Sequence, residues 1–209
     1  MKLLFITVLL VIDIYSTCEQ TGLLNGTYTG ECWGYYTILS NLLVIAYFLA
    51  VLFNELFGVF PLVENAAVSF TVMMSITLTF LIFHFLLMPY LLKDWKEGKG
   101  LNPYRLGNLG VHYICPIMTI IYFLVFINRD GMKVWQGACW LVSPCAYLVY
   151  SAVRAKLGYV FAWNNSRWAY WFMDFDGLGF KNAMRNLIVL LILFGLLGLL
   201  IAYLCIKLR

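Results

Sequence analysis

The sequence predicts an all-α membrane protein: six transmembrane helices in a single domain over residues 1–209, with an interfacial aromatic segment before the last helix. Two observations predict it. The first is composition. Of the 209 residues 63% are hydrophobic, 18% aromatic and only 11% charged, with a mean hydropathy of +0.86, whereas a soluble domain is nearer half apolar and a quarter charged. The second is arrangement. A helix crossing a bilayer needs roughly 20 apolar residues, and the chain offers six such runs with too little between them to build a soluble domain.

The first span, 3–16, is short and carries Asp13. A basic Lys2 before an apolar run also describes a signal peptide, but Asp13 interrupts the run and Y-S-T-C is a poor cleavage site, so a retained span is expected. The loop that follows is polar and Gly-rich, with Glu19 and Glu31 and neither Lys nor Arg. The second span, 34–53, sets Thr37, Ser40 and Asn41 on one face near its start. The third, 67–91, carries Ser69, Met73, Thr77 and His84 as a stripe and ends at Met88-Pro89; the charged loop K-D-W-K-E-G-K-G comes next, then Pro103 and Arg105. The fourth, 108–127, brings Asn108, His112, Cys115 and Thr119 to one face, and Pro116 leaves the His112 carbonyl without its intrahelical donor. In the fifth, 134–154, the aligned residues are Ser143, Tyr147, Tyr150 and Arg154. The connection 155–184 mixes Trp, Tyr and Phe with Asp174, Asp176 and Gly177, a composition suited to headgroup level. The sixth span, 185–206, is a Leu/Ile/Gly run.

Six spans put both termini on one side, so the first, third and fifth loops share the other. Polar groups from several helices then converge near that surface: Thr37 and Asn41, His112, Arg154, and Arg185 with Asn186. This side carries nine basic residues against five (Lys2, Arg129, Lys133, Lys207 and Arg209) on the other, and the positive-inside rule makes it cytoplasmic. A disulfide between Cys18 and Cys32 would argue the reverse. The net charge of +4 is scattered over loops and span ends, which fits lipid headgroups and excludes nucleic acid as the partner.

A threonine hydroxyl is a poor nucleophile at neutral pH and needs a base within about 3 Å. His112 is the natural base, since a histidine's ordinary pKa of about 6.5 leaves much of it neutral. Ser40 or Asn41 would orient the pair or donate to an oxyanion. Equally, Thr37 back-bonds to its own helix, as threonines in membrane spans do. His84 either lines the same cavity or is a buried histidine bonded to a neighbouring helix. Arg154 and Arg185 either hold an anionic headgroup or fatty carboxylate or snorkel to the surface, and Asp174 is a pairing candidate for one of them. With two histidines, no suitable carboxylate pair and no H-E-x-x-H, no metal or other cofactor is expected.

Several runs together carry a resemblance: Y-Y-T-I-L-S-N-L-L-V in span 2, I-F-H-F-L-L-M-P in span 3, H-Y-I-C-P-I in span 4, W-L-V-S-P-C-A-Y-L-V-Y-S-A-V-R in span 5, and W-F-M-D-F-D-G-L-G-F before span 6. In order and spacing the chain resembles the bacterial six-helix relatives of the androgen-inducible membrane protein family, whose animal members are intramembrane hydrolases of fatty acid esters of hydroxy fatty acids. His84 and the Ser40-Asn41 pair look like the bacterial branch. The resemblance implies a threonine nucleophile at Thr37 and a histidine base at His112, a lipid-ester substrate, and a place in the bacterial cytoplasmic membrane. The competing expectation is a non-enzymatic six-helix protein that binds or transports a lipid or small amphiphile, with His112 and His84 as ligand or proton groups.

Overall fold

The computed structural model describes residues 1–99 and 102–207. Gly100 and Leu101 of the charged loop, and Arg209 among the basic residues counted above, lie outside them. The described residues are helical, and the only β pairing among them is an isolated bridge between Phe161 and Ser166. The principal helices are α1 (Lys2–Gln20), α2 (Tyr36–Phe57), α3 (Ala66–Lys96), α4 (Leu106–Phe126), α5 (Val142–Lys156) and α6 (Phe180–Lys207). All but α5 are long and apolar enough to cross a membrane, which makes five candidate spans and fits an integral membrane protein. The expected fifth span is helical but divided. An eight-residue 3-10 helix, Val134–Leu141, precedes the 15 residues of α5. Pro144 stands in the first turn of α5, where a missing amide costs least.

The helix ends follow local chemistry rather than the edges of the apolar runs. α1 continues beyond its apolar run to Gln20 because its polar residues bond within the helix: Thr17 Oγ1 donates to Asp13 Oδ1 (3.3 Å) and Thr21 Oγ1 to the Thr17 carbonyl (2.9 Å). α2 stops at Gly58, which takes the left-handed conformation (φ +67°) of a glycine C-cap. α3 starts from Asn65, whose Oδ1 accepts the Ala67 N–H at 2.9 Å. α6 begins at Phe180, inside the connection 155–184 and ahead of the expected start of the sixth span at 185.

Both α3 and α4 contain a π-helical turn. Phe83–Leu87 is closed by the Met88 N–H on the Phe83 carbonyl, and Gly110–Ile114 by the Cys115 N–H on the Gly110 carbonyl. In each helix a proline follows the closing residue: Pro89 and Pro116. A proline ring in a regular α-helix collides with the carbonyl four residues back, here that of Phe85 or His112. The wider turn relieves the collision and leaves one extra residue in the helix.

α3 is apolar on all sides and accordingly central. Its Phe70, Met74 and Ile76 are fully buried, and it packs against α2, α4 and the 3-10 segment. α6 turns a narrow seam inward (Leu187, Gly195, Gly198, Ala202) and exposes Ile192, Leu193, Leu196 and Leu200, the pattern of a lipid-facing helix. Lipid removes the hydrophobic drive for helices to associate, so close packing of small residues has to supply it. α6 does this on the 3-10 segment: a Cβ added at Gly198 would strike the Gly137 carbonyl and the Trp140 indole.

The helices alternate in direction. Lys2 Nζ reaches Glu55 and Glu64, each at 2.8 Å, and the Tyr122 hydroxyl donates to Glu64, joining the start of α1 to the ends of α2 and α4. At the opposite end Arg105 Nη2 donates to Glu19 Oε1 (2.7 Å), and the Gly107 N–H reaches the same carboxylate. Cys18 and Cys32 lie near this end as free thiols. The aromatic connection also covers it. Phe161, Trp168, Tyr170, Phe172 and Met173 are buried in the core, while Tyr159, Trp163 and Trp171 stay exposed.

Candidate functional site

Thr37 is the second residue of α2, and two other parts of the chain fix where that helix begins. The polar stripe of α5 grips its first residue and the residues just before it. Ser143 Oγ lies 2.9 Å from the Tyr36 hydroxyl, the Tyr147 hydroxyl donates to the Gly34 carbonyl (2.9 Å), and the Tyr150 hydroxyl donates to the Trp33 carbonyl (3.0 Å). Arg154 closes the stripe. Its guanidinium packs over the Phe161 ring at 4.2 Å, so close to Gly34 that a Cβ there would meet both side chains. The aromatic connection supplies the second hold. Tyr35 offers no side-chain cap to α2; instead the Tyr36 N–H donates to the Tyr170 hydroxyl at 3.1 Å. This hydroxyl satisfies one of the amides that a helix start leaves without partners. Burial pushes the Tyr170 phenol up from its ordinary range near 10, against the pull of the neighbouring Thr37 and Tyr36 groups, so it stays protonated at neutral pH.

His112 sits in the π-turn of α4, buried, with Nε2 3.3 Å from Thr37 Oγ1. Its Nδ1 lies 3.0 Å from the Asn108 carbonyl. A carbonyl can only accept, so Nδ1 carries the proton of the neutral ring, and Nε2 accepts from the Thr37 hydroxyl. Phe83, in the facing π-turn of α3, stacks on the imidazole with ring centroids 3.7 Å apart and planes 17° from parallel. Asn41 joins the two helices: its Nδ2 donates to the Thr37 carbonyl (2.7 Å) and to the Val111 carbonyl (3.3 Å). Ser40 Oγ reaches the Thr37 carbonyl (3.0 Å) and Thr79 Oγ1 (2.7 Å), fastening α2 to α3. Both side chains thus bond to groups on α2, α3 and α4 around Thr37.

The pair stands between two cavities. One is a polar vestibule of about 1490 Å³, whose walls include Glu19, Arg105, Asn108, His112 and Asp174. The other is a narrow apolar chamber of about 70 Å³ between α2, α3, α5 and α6, lined by Leu78, Ile82, Leu148, Leu190 and Phe194 among others. Thr37, Phe83, Leu87 and Tyr170 border both.

The remaining candidates stand elsewhere. His84 is exposed on the outer face of α3, 3.1 Å from the Tyr113 hydroxyl and stacked near Phe80, and it borders neither cavity. Arg154 is buried against aromatic rings rather than at either cavity wall, and its Nη1 has no protein hydrogen-bond partner. Asp174 borders the vestibule, but its carboxylate is used to cap the turn Phe175–Leu178, accepting from Asp176 and Gly177 N–H; the ion pair of this segment is Arg167–Asp176. Arg185 is exposed, and Asn186 Nδ2 donates to the Phe172 carbonyl (3.3 Å). Cys115 is buried beside Asp13 on the side of α4 toward α1. Sequence reasoning missed Tyr170. It is one aromatic residue among many, far from Thr37 in the chain, and no spacing rule connects the two.

Fold and site together describe an all-helical membrane protein with a threonine–histidine pair where a polar cavity meets an apolar one. No protein-family profile, curated protein or solved structure matches the chain.

Proposed function

We propose that the protein is an intramembrane hydrolase of lipid esters, with Thr37 as nucleophile and His112 as general base. The observation that carries the reading is the Thr37 Oγ1–His112 Nε2 approach of 3.3 Å at the meeting of the vestibule and the chamber. An ester lying there has its carbonyl at the threonine, its acyl chain toward the apolar side, and water within reach on the polar side. Thr37 Oγ1 attacks the carbonyl carbon while Nε2 takes its proton. That proton then passes to the departing alkoxide, and a water repeats the cycle on the acyl-threonine. The chamber is far smaller than the roughly 300–1,000 Å³ of sites for drug-sized ligands, so acyl chains enter by parting α6 from its neighbours. The resemblance to the androgen-inducible family favours fatty acid esters of hydroxy fatty acids as the substrate class.

The same reading makes Val134–Lys156 the sixth span. Eight 3-10 residues at about 2.0 Å and 15 α-helical residues at about 1.5 Å give about 38 Å, enough to cross a hydrocarbon core of about 30 Å. Both termini then share one side. The nine basic residues of the other side orient the site toward the cytoplasm, in the cytoplasmic membrane of a bacterium.

The test is hydrolysis of a fatty acid ester of a hydroxy fatty acid by purified protein in detergent, beside Thr37→Ala and His112→Ala. Each substitution is expected to lower turnover by about 10²-fold or more without loss of folding, and a fluorophosphonate probe to mark Thr37. A folded protein that neither cleaves esters nor takes the label moves the reading to lipid binding or transport.

A further inference from the structure

The hydrogen bonds around Thr37 run in one direction. The Tyr36 N–H, next to Thr37, donates to the Tyr170 oxygen at 3.1 Å. The Thr37 hydroxyl gives its only proton to His112 Nε2, 3.3 Å away, because Nδ1 is already committed to the Asn108 carbonyl at 3.0 Å. A phenol has a single proton to donate. With its oxygen accepting from the Tyr36 amide, that proton is left for an acceptor in the cavities that Tyr170 and Thr37 both border. The side chain carrying it is buried at 8% exposure and borders both cavities.

We infer that Tyr170 is a catalytic residue of this site: its O–H donates to the carbonyl oxygen of the ester as charge develops there. The inference rests on the ester-hydrolase reading above. When Oγ1 bonds to the carbonyl carbon, its proton goes to His112 Nε2 and the carbonyl π pair moves onto oxygen. Oγ1, now carrying two carbon substituents, becomes a weaker acceptor. The new oxyanion, two bonds from Oγ1, becomes the strongest acceptor within reach of the Tyr170 proton. Collapse returns the pair to the C–O double bond and expels the alkoxide, which takes the proton held by His112. Tyr170 neither gains nor loses a proton over the cycle. Its amide partner, at the positive end of α2, biases the phenol toward donation, and its position in the apolar wall makes the bond stronger than it would be in water.

The experiment uses purified full-length protein and compares wild type with Tyr170→Phe, which removes the hydroxyl and keeps the ring. The expected result is a kcat lower by about 10²–10³-fold, the usual effect of removing one oxyanion donor, with KM little changed. Affinity for a long-chain trifluoromethyl ketone, which forms a tetrahedral oxyanion adduct on the nucleophile, is expected to fall in step with kcat/KM. Near-normal turnover in Tyr170→Phe, with Thr37 and His112 still essential, overturns the inference. So does a loss of turnover in which the ketone's affinity holds while thermal stability and KM worsen together, since that describes an anchor for the start of α2 and nothing more. Should Tyr170→Phe fail to fold, difluorotyrosine at this position keeps the hydroxyl and lowers its pKa. The alkaline limb of kcat must then move to lower pH, and an unmoved limb overturns the inference. A wild type that cleaves no ester and takes no label at Thr37 removes the reading beneath it, an outcome distinct from all of these.

Discussion

Asn41 is the smallest unit that relates Thr37 to His112. One amide nitrogen bridges the carbonyl of Thr37 and that of Val111, the residue next to His112. Its Oδ1 is buried without a protein partner, so the side chain carries a desolvation cost of its own. Replacing it with leucine removes two donors and one unsatisfied acceptor, effects of opposite sign. Asn41→Leu is therefore expected to change stability by no more than about 1 kcal/mol. Turnover should fall about tenfold, an estimate based on the sensitivity of a reacting pair to small misplacement. Thermal unfolding and kcat measured on the same preparation check this. At this scale the sequence was partly legible. Helical spacing brought out Thr37, Ser40, Asn41 and His112 because all lie near the starts of two helices that must be neighbours. It left His84 open between a cavity lining and a buried bond to a neighbouring helix; the structure gives the bond, to Tyr113 of α4, but on an exposed face of α3. Arg154 was recognised as part of a stripe, but its partners are aromatic faces, which no pattern of charges signals.

At the scale of elements, the two π-turns aim Phe83 and His112 at each other. Pro116 requires the turn in α4, so its removal offers the regular α-helix a way back. Pro116→Ala supplies an amide for the His112 carbonyl. Converting the π-turn to an α-turn would displace the residues before it by about one helical position, roughly 100° of rotation. The expected outcome is unusual for a helix-core substitution. Stability is maintained or raised, since alanine is the better helix former, while turnover falls tenfold or more because Nε2 no longer faces Thr37. Parallel measurements of unfolding temperature and kcat decide it, and a variant with normal turnover would show that the turn does not depend on the proline. The prolines were visible in the sequence as breaks; that each would be absorbed by widening rather than kinking was not. The same limit applies to Val134–Leu141, where apolar content announced a span but gave no hint of the 3-10 winding ahead of Pro144.

For the molecule as a whole, the membrane class and the helical fold were legible because they follow from composition and run length alone. The relative placement of α6 was not, since a Leu/Ile/Gly run has no polar face to say which way it turns. Gly137 and Gly198 make that choice through backbone contact, and the chamber wall formed by Leu190 and Phe194 follows from it. Gly198→Leu would force α6 off the 3-10 segment. Overpacking of this kind costs typically about 1–3 kcal/mol, measurable as earlier thermal unfolding in detergent. Turnover of long-chain esters is expected to suffer more than that of short-chain esters, because the chamber wall moves while the Thr37–His112 geometry, held by α2 and α4, does not. Equal losses for both chain lengths would mean that α6 does not shape the acyl site.

α3 has a further property in its length. Its 31 residues span about 46 Å at 1.5 Å per residue, against a hydrocarbon core of about 30 Å. An overlong helix adjusts to the bilayer by tilting, and this one carries, in its Phe83 ring, the face against which His112 rests. His112, the proposed base, is thus braced by the helix most exposed to changes in bilayer thickness. In vesicles of short-chain and long-chain phosphatidylcholine the rate of Thr37 labelling by a fluorophosphonate should differ, with soluble-probe access held equal. The host membrane's lipid composition would then act as a control on the chemistry, set by the thickness of the bilayer rather than by any ligand.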